Sequence, residues 1–227
     1  MEKIIVNIKK DVEALLNTDK SGHGMDHIER VLNLSYDLAN NMNVNMHIVS
    51  LIALLHDVDD YKLFGEDNAK NLSNARRILE KYEIDDNIKE IVLTSISQIG
   101  YSKRLKGIKP QYLEGMIVSD ADMLDAMGAC GIARSIAYAS SKGRKVFDEN
   151  IFPTLDLDAS GYVKEKDTTM INHVFEKLLK LKDLMLTDNA KDLALIRHNF
   201  MVNFLKEYFK ELKLENWEIF LEKYLEK

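Results

Sequence analysis

The apolar residues recur at intervals of three and four positions through almost the whole sequence. This is the period of an amphipathic α-helix, whereas a half-buried strand alternates at every second position. Only two prolines, Pro110 and Pro153, interrupt the pattern, and no Asn-Gly or Asp-Gly pair marks a β-hairpin. The sequence therefore predicts an all-α protein.

The periodic segments predict a series of helices joined by polar connections. Asp26 is predicted to cap the second helix, and Pro110 suits the first turn of a later one. Two loops are expected, at Asp59–Asp67, with Gly65 as its flexible point, and at Ser141–Lys166. The predicted helices are Ile4–Leu16, the segment from Asp26 to Ala39, Met46–Val58, Asn68–Tyr82, Asp85–Ser97, Pro110–Met127, Gly131–Ser140, Thr168–Met185, Asp188–Leu212 and Glu215–Leu225.

The composition is that of a globular protein, since 46% of the 227 residues are apolar and 30% are charged. A net charge of −6 argues against a nucleic-acid partner. The longest nearly apolar run, Ile48–Leu55, is too short to span a bilayer, so no membrane partner is expected. The single cysteine, Cys130, excludes an internal disulfide and, with no signal peptide in view, predicts a cytoplasmic location.

The segment Leu51–Tyr61, LIALLHDVDDY, runs from an apolar helix face directly into His56 and Asp57. A buried carboxylate beside a buried imidazole needs a partner charge. A divalent metal ion is the partner that we expect. Its other ligands should lie at the ends of neighbouring helices, and the sequence offers them at His27 and Asp122.

The run IVSDADMLDAM holds three acids that could serve this ion. Asp120 and Asp122 face different ways on a helix, so only one of them is expected to contact the metal. Asp125 lies one turn after Asp122 and could support it.

Two imidazoles and two carboxylates with open positions suit Mn²⁺, Fe²⁺, Co²⁺, Ni²⁺ or Zn²⁺ better than an all-oxygen Mg²⁺ site. Open positions that hold water are typical of a catalytic metal rather than of a structural one. The alternative interpretation is that these side chains are helix caps, exposed polar groups or a buried ion pair.

The order His27, then His56-Asp57, then Asp122 resembles the H…HD…D pattern of the HD-domain metal-dependent phosphohydrolases. The resemblance is closer to a bacterial subgroup of nucleotide pyrophosphohydrolase-like proteins and extends from about Gly22 to Phe204. The sequence motifs that match are Gly22–Val31 (GHGMDHIERV), Leu54–Lys62 (LLHDVDDYK), Asp120–Arg134 (DADMLDAMGACGIAR), Tyr138–Arg144 (YASSKGR) and Lys177–Met185.

The first of these words departs from the family pattern at one position. The family usually carries Asp directly after the leading His, whereas Gly24 follows His23 here. His27 rather than His23 is therefore taken as the ligand, and alignment of the ADxL word favours Asp122, with Asp120 in reserve.

The resemblance implies an HD-type helical bundle around a divalent-metal site. We expect a single domain over residues 1–227, with a core at about 20–140 and the C-terminal helices, about 168–227, as an accessory layer. It also implies attack of a metal-bound water on phosphorus, with Asp60 orienting that water or relaying its proton. Asp59 is interpreted as a solvated loop acid.

Several basic residues are candidates to neutralise the phosphate charge of a substrate. Arg30 lies one turn after His27, and Lys62 and Arg134 lie within the matching words. Lys142 and Arg144 form a basic cluster that could close over a triphosphate. For each of these residues a structural ion pair or a solvated turn is the alternative.

The function implied by the resemblance is hydrolysis of (deoxy)nucleoside triphosphates to monophosphate and pyrophosphate. One divalent ion is expected, Mn²⁺ first, with Ni²⁺, Co²⁺, Fe²⁺, Zn²⁺ or Mg²⁺ as alternatives, and a homodimer is conceivable. The rival functions are a nucleoside monophosphate phosphomonoesterase and a non-catalytic module that senses a metal or a nucleotide. Asp156–Asp167 resembles a calcium loop, but it lacks the bidentate Glu at its end and is interpreted as a polar turn.

Overall fold

The computed structural model describes residues 2–16, 24–155 and 168–226. Within these ranges the regular structure is entirely helical, which confirms the all-α prediction. The calcium-like segment Asp156–Asp167 and His23 lie outside the described residues.

The described part of the chain holds the following helices. They are α1 (Glu2–Leu16), α2 (Met25–Leu38), α3 (Met46–Leu55), α4 (Tyr61–Asn71), α5 (Ser73–Lys81), α6 (Asp86–Gln98), α7 (Tyr101–Leu105), α8 (Leu113–Asp125), α9 (Gly128–Ser141), α10 (Met170–Glu176), a 3₁₀ helix (Leu178–Leu184), α11 (Asp188–Glu211) and α12 (Glu215–Leu225).

Two predicted helix starts are wrong. Gly24, not Asp26, is the N-cap of α2. Asp26 lies in the first turn, where the positive end of the helix dipole stabilises its carboxylate. Pro110 precedes α8, which begins at Leu113.

The predicted loop Asp59–Asp67 is mostly helical, because α4 begins at Tyr61. Gly65 bends α4, since its φ of 83° is a conformation that residues other than glycine rarely adopt, and its role as a flexible point stays a prediction. The predicted helix Asn68–Tyr82 is divided, because Leu72 adopts a left-handed conformation between α4 and α5.

The segment predicted as one helix from Thr168 to Met185 is also divided. Thr169 caps α10 by accepting the N–H of Asn172. The chain then tightens into the 3₁₀ helix Leu178–Leu184. Residues 142–155 hold no helix, in agreement with the start of the predicted loop Ser141–Lys166.

The chain divides into two compact units, Met1–Asp125 with Leu186–Ala190 and Ala126–Met185 with Lys191–Lys227. In the first unit α3 is the central helix, and every residue of Ile48–Leu55 is buried. In the second unit the buried Trp217 lies among Phe147, Phe175 and Phe209. A single domain over residues 1–227 stays a prediction. The described helices include none that is both long and apolar enough to cross a membrane.

Asp59 joins the end of α3 to the start of α5 and is not the solvated loop acid that the sequence suggested. Its side chain is buried and accepts the backbone N–H groups of Asn74 and Ala75, each at 2.9 Å. Asn74 returns a hydrogen bond to the Val58 carbonyl at 2.8 Å. This pair of contacts holds the turn after His56-Asp57 in place.

We expect Asp59→Ala to lower the free energy of unfolding by about 3 kcal/mol, because two buried N–H groups lose a charged acceptor. Urea denaturation followed by circular dichroism measures the change. The control is Asp37→Ala, which removes an exposed acid of α2. Equal stability of the two variants would show that the Asp59 contacts contribute nothing.

Candidate metal centre

His27 lies in the first turn of α2, and its side chain is 1% exposed. Its Nδ1 lies 2.8 Å from Oδ2 of Asp125, near the end of α8. A carboxylate only accepts hydrogen bonds, so Nδ1 of His27 carries the proton in this contact. In the neutral ring, Nε2 therefore presents a lone pair.

His56 follows α3 directly, as its C-cap residue. Its Nδ1 lies 2.8 Å from the carbonyl oxygen of Ala53 and donates to it. The lone pair of His56 is therefore also at Nε2. The helix end itself fixes this tautomer, because it supplies the carbonyl acceptor.

The two Nε2 atoms face one another at 3.3 Å. The Asp57 carboxylate adds an oxygen 3.4 Å from Nε2 of His27 and 3.7 Å from Nε2 of His56. Ligand atoms of His27, His56 and Asp57 all lie within 4.8 Å of one another.

Asp122 supplies a fourth acceptor, 3.6 Å from Nε2 of His27 and 4.0 Å from Nε2 of His56. The imidazoles are buried, while the side chains of Asp57 and Asp122 are 16% and 27% exposed. The site therefore opens to solvent on the side of its carboxylates. The structure brings all four side chains of the predicted ligand set together, and their role as ligands stays a prediction.

Four acceptor atoms this close repel one another unless a positive charge lies among them. The pKa of His27 reflects this need for a positive charge among the acceptors. Burial favours the neutral ring, but the hydrogen bond to Asp125 and the carboxylates of Asp57 and Asp122 outweigh burial and raise the pKa of His27 to about 9. Two imidazole nitrogens and two carboxylate oxygens are a donor set that fits a divalent transition metal.

Asp125 connects the histidine to Arg30. Nε of Arg30 donates to Oδ1 of Asp125 at 2.7 Å, and Nη2 donates to Oδ2 at 3.2 Å. The guanidinium also pairs with Asp26 at 3.0 Å. The hydrogen bond to Asp125, opposed by burial, raises the pKa of Arg30 above its ordinary value. The Arg30 guanidinium thus orients the carboxylate that orients His27, and a substrate contact of Arg30 stays a prediction.

Asp120, the reserve ligand, is buried and fully engaged elsewhere. It accepts the backbone N–H groups of Leu186 and Thr187 and the Thr187 hydroxyl, at 2.8–3.0 Å. Burial raises the pKa of Asp120, and these hydrogen bonds oppose that rise. Asp120 therefore holds residues 186–187 against α8, while Asp122, two positions later, faces the histidines.

The remaining predicted site residues lie in several places. Asp60 directly precedes α4, and its carbonyl accepts the N–H groups of Leu63 and Phe64. The side chain of Lys62 lies outside the described part of the structure. Three basic candidates lie in the second compact unit, in or just after α9: Arg134, Lys142 and Arg144. The ammonium of Lys142 lies 5.8 Å from the ring centre of Tyr138. Their substrate roles, and the catalytic role of Asp60, stay predictions.

Comparison with known proteins shows the family to which this chain belongs. The sequence model of the HD domain matches residues 24–127, a range that includes all four residues of the predicted ligand set. YpgQ of Bacillus subtilis is 33% identical over 207 residues, which cover 90% of this chain and 92% of YpgQ. The chain belongs to the HD-domain superfamily of metal-dependent phosphohydrolases.

Solved structures support the same assignment. A Lactobacillus plantarum protein shares 34% identity with a TM-score of 0.82, and the match covers 94% of this chain and 98% of that one. An HD-superfamily hydrolase from Bacillus thuringiensis shares 34% identity over the same fractions, with a TM-score of 0.71. Bacillus subtilis YpgQ has been solved in complex with ADP. Its structure matches this chain with 30% identity and a TM-score of 0.70, and the match covers 92% of this chain and 95% of YpgQ.

We expect Asp125→Asn to weaken binding of a divalent metal by about 10- to 100-fold, because a carboxylate behind a histidine ligand makes the ring more basic and fixes its orientation. Isothermal titration of the metal-free protein with Mn²⁺ measures the affinity. Asp26→Asn is the matched control, since Asp26 contacts the same arginine but its side chain is 78% exposed. An unchanged affinity in Asp125→Asn would rule out this supporting role.

Proposed function

We propose that this protein hydrolyses (deoxy)nucleoside triphosphates to monophosphate and pyrophosphate, using a divalent metal ion held by His27, His56, Asp57 and Asp122. The observation that carries the proposal is the convergence of their four acceptor atoms, with His27 and His56 facing at 3.3 Å. Helix α2, the turn after α3 and helix α8 supply these atoms.

Mn²⁺ is the ion that we propose first. Mixed nitrogen and oxygen ligands suit borderline metals, whereas Mg²⁺ prefers oxygen and retains much of its water. Bound at this site, such a cation would supply an activated water and would polarise a phosphoryl oxygen.

In the proposed reaction a water oxygen forms a bond to the α-phosphorus. The bond between that phosphorus and the oxygen that bridges to the β-phosphate breaks, and pyrophosphate leaves with the bonding electrons. The attacking water must lose a proton. Asp60 follows Asp57 by three residues, at the start of α4, and we assign it the role of orienting the water and accepting this proton.

Two observations support a nucleotide as the substrate. The relative YpgQ was solved in complex with ADP, which is a nucleotide with a phosphoanhydride. The resemblance to the nucleotide pyrophosphohydrolase-like subgroup covers most of this chain. We propose that Lys62, Arg134, Lys142 and Arg144 neutralise the phosphate charge of the bound nucleotide.

The expected activity is release of pyrophosphate, and not of phosphate, from dNTPs in the presence of Mn²⁺. Separate assays for the two products on dNTP and dNMP panels measure it. Asp57→Ala should abolish metal binding and turnover together, and EDTA should do the same to the native protein until Mn²⁺ is restored. Phosphate release from dNMPs would instead identify a phosphomonoesterase, and nucleotide binding without turnover would identify a sensing module.

Asp60→Asn should slow turnover by about 100-fold or more, since the amide accepts no proton from the attacking water. Its Mn²⁺ affinity should stay unchanged, in contrast to that of Asp57→Ala. The measurements are steady-state kinetics and metal titration on the same preparation. Full turnover in Asp60→Asn would remove Asp60 from the mechanism, while parallel loss of metal and activity would make it a ligand.

A further inference from the structure

Gly131, in the first turn of α9, lies against the backbone of Ala126. A Cβ atom at position 131 would lie 2.1 Å from the carbonyl oxygen of Ala126 and 2.4 Å from its carbonyl carbon. Cβ atoms in proteins essentially never approach another atom to less than 3.0 Å. Because the contact is with backbone, no side-chain rotation could relieve it. Only glycine therefore fits at position 131 while Ala126 keeps its place.

The residues between these two leave the turn little freedom to adjust. Met127 is 1% exposed, and its carbonyl accepts the N–H of Gly131 at 3.3 Å. Gly128 has a φ of 70°, in the left-handed region that favours glycine. A group that pushes on Ala126 therefore meets a buried side chain and a fixed backbone on the α9 side of the turn.

On the other side, a planar peptide bond joins Ala126 directly to Asp125. The Asp125 side chain is 4% exposed, and its Oδ2 lies 2.8 Å from Nδ1 of His27. Its Oδ1 accepts Nε of Arg30 at 2.7 Å. Relief of the 2.1 Å contact requires a displacement of about 1 Å, and a hydrogen bond lengthened by that amount is lost.

We propose that Gly131 is a positioning residue of the metal centre. By leaving room for the Ala126 carbonyl, it keeps Asp125 at the place where the carboxylate orients His27. Misplacement of a functional group by about 1 Å can lower the function of a site by about 100-fold. The inference rests on the proposed metal site, because Gly131 acts through the residue that orients one of the proposed ligands.

Gly131→Ala should weaken Mn²⁺ binding by about 10- to 100-fold, the range expected when the group behind a histidine ligand is disturbed. Isothermal titration measures the affinity, and circular dichroism verifies the fold. The visible absorption spectrum of bound Co²⁺ should also change, since it reports the geometry of the ligands.

The matched control is Gly115→Ala, ten residues before Asp125. A Cβ atom at position 115 would lie 2.6 Å from the hydroxyl oxygen of the buried Ser95, so this substitution also crowds the interior. Gly115→Ala should lower the free energy of unfolding but keep the native Mn²⁺ affinity and the native Co²⁺ spectrum.

A double variant tests whether Gly131 acts through Asp125. In the Asp125→Asn background, Gly131→Ala should cause no further loss of affinity, because the orienting contact is already lost and the two effects are then not additive. Losses that multiply in Gly131→Ala/Asp125→Asn would show that Gly131 acts independently of Asp125, and would overturn the proposal.

Should Gly131→Ala fail to fold, Gly128→Ala strains the same turn. It should weaken Mn²⁺ binding by about 5-fold or more, because any side chain disfavours the left-handed conformation. Native affinity in whichever variant folds would overturn the role of Gly131 and leave the proposed function intact. A native chain that binds no Mn²⁺, or undiminished binding in Asp57→Ala, would instead overturn the metal site and this inference with it.

Discussion

Two imidazole nitrogens that face one another at 3.3 Å, with two carboxylate oxygens beside them, form the constraint on which the site depends. Both rings already use Nδ1 as a donor, so the four atoms at the centre are acceptors. Either a proton or a metal cation must lie among them. Against the effect of burial, the hydrogen bonds to Asp125 and Asp57 raise the pKa of His27 and favour a proton there, and a divalent cation would offer the same atoms a larger charge.

The fold supplies this arrangement through helix ends. His27 begins α2, His56 ends α3, and Asp125 lies at the end of α8, where it is held by Arg30. The buried segment Ile48–Leu55 of α3 packs in the core directly before the His-Asp pair. The turn that follows is anchored by Asp59, and α8 is joined to residues 186–187 by Asp120. Asp59 and Asp120 thus bind backbone N–H groups, while Asp57 and Asp122, two positions from each of them, face the two histidines.

Much of this could be predicted from sequence. The three-and-four periodicity predicted an all-α fold because the helix period is regular and local. His56 and Asp57 could be named because an apolar run that ends in a charged pair demands a partner charge, whereas the choice of His27 over His23 and of Asp122 over Asp120 rested on the resemblance to the HD-domain family. Both predictions rest on patterns that are local in the sequence, the helical period and the apolar run before His56-Asp57.

Other features could not be predicted, because they depend on partners distant in the sequence. The backbone N–H donors to Asp59 and Asp120 lie 15 and 66 residues away, and nothing near either acid distinguishes it from a solvated one or from a ligand. The break at Leu72 is similar, since leucine in a left-handed conformation carries no local signal. The spacing suggested Asp125 as a supporting residue, but its ion pair with Arg30, 95 residues away, could not be predicted, and a substrate contact of Arg30 stays a prediction.

The most direct test of the central claim is anomalous diffraction from crystals grown with Mn²⁺. The account predicts one strong peak about 2.0–2.3 Å from Nε2 of both His27 and His56 and from a carboxylate oxygen of both Asp57 and Asp122. Anomalous density bound only by other carboxylates, with the two rings still facing one another without an ion, would contradict it.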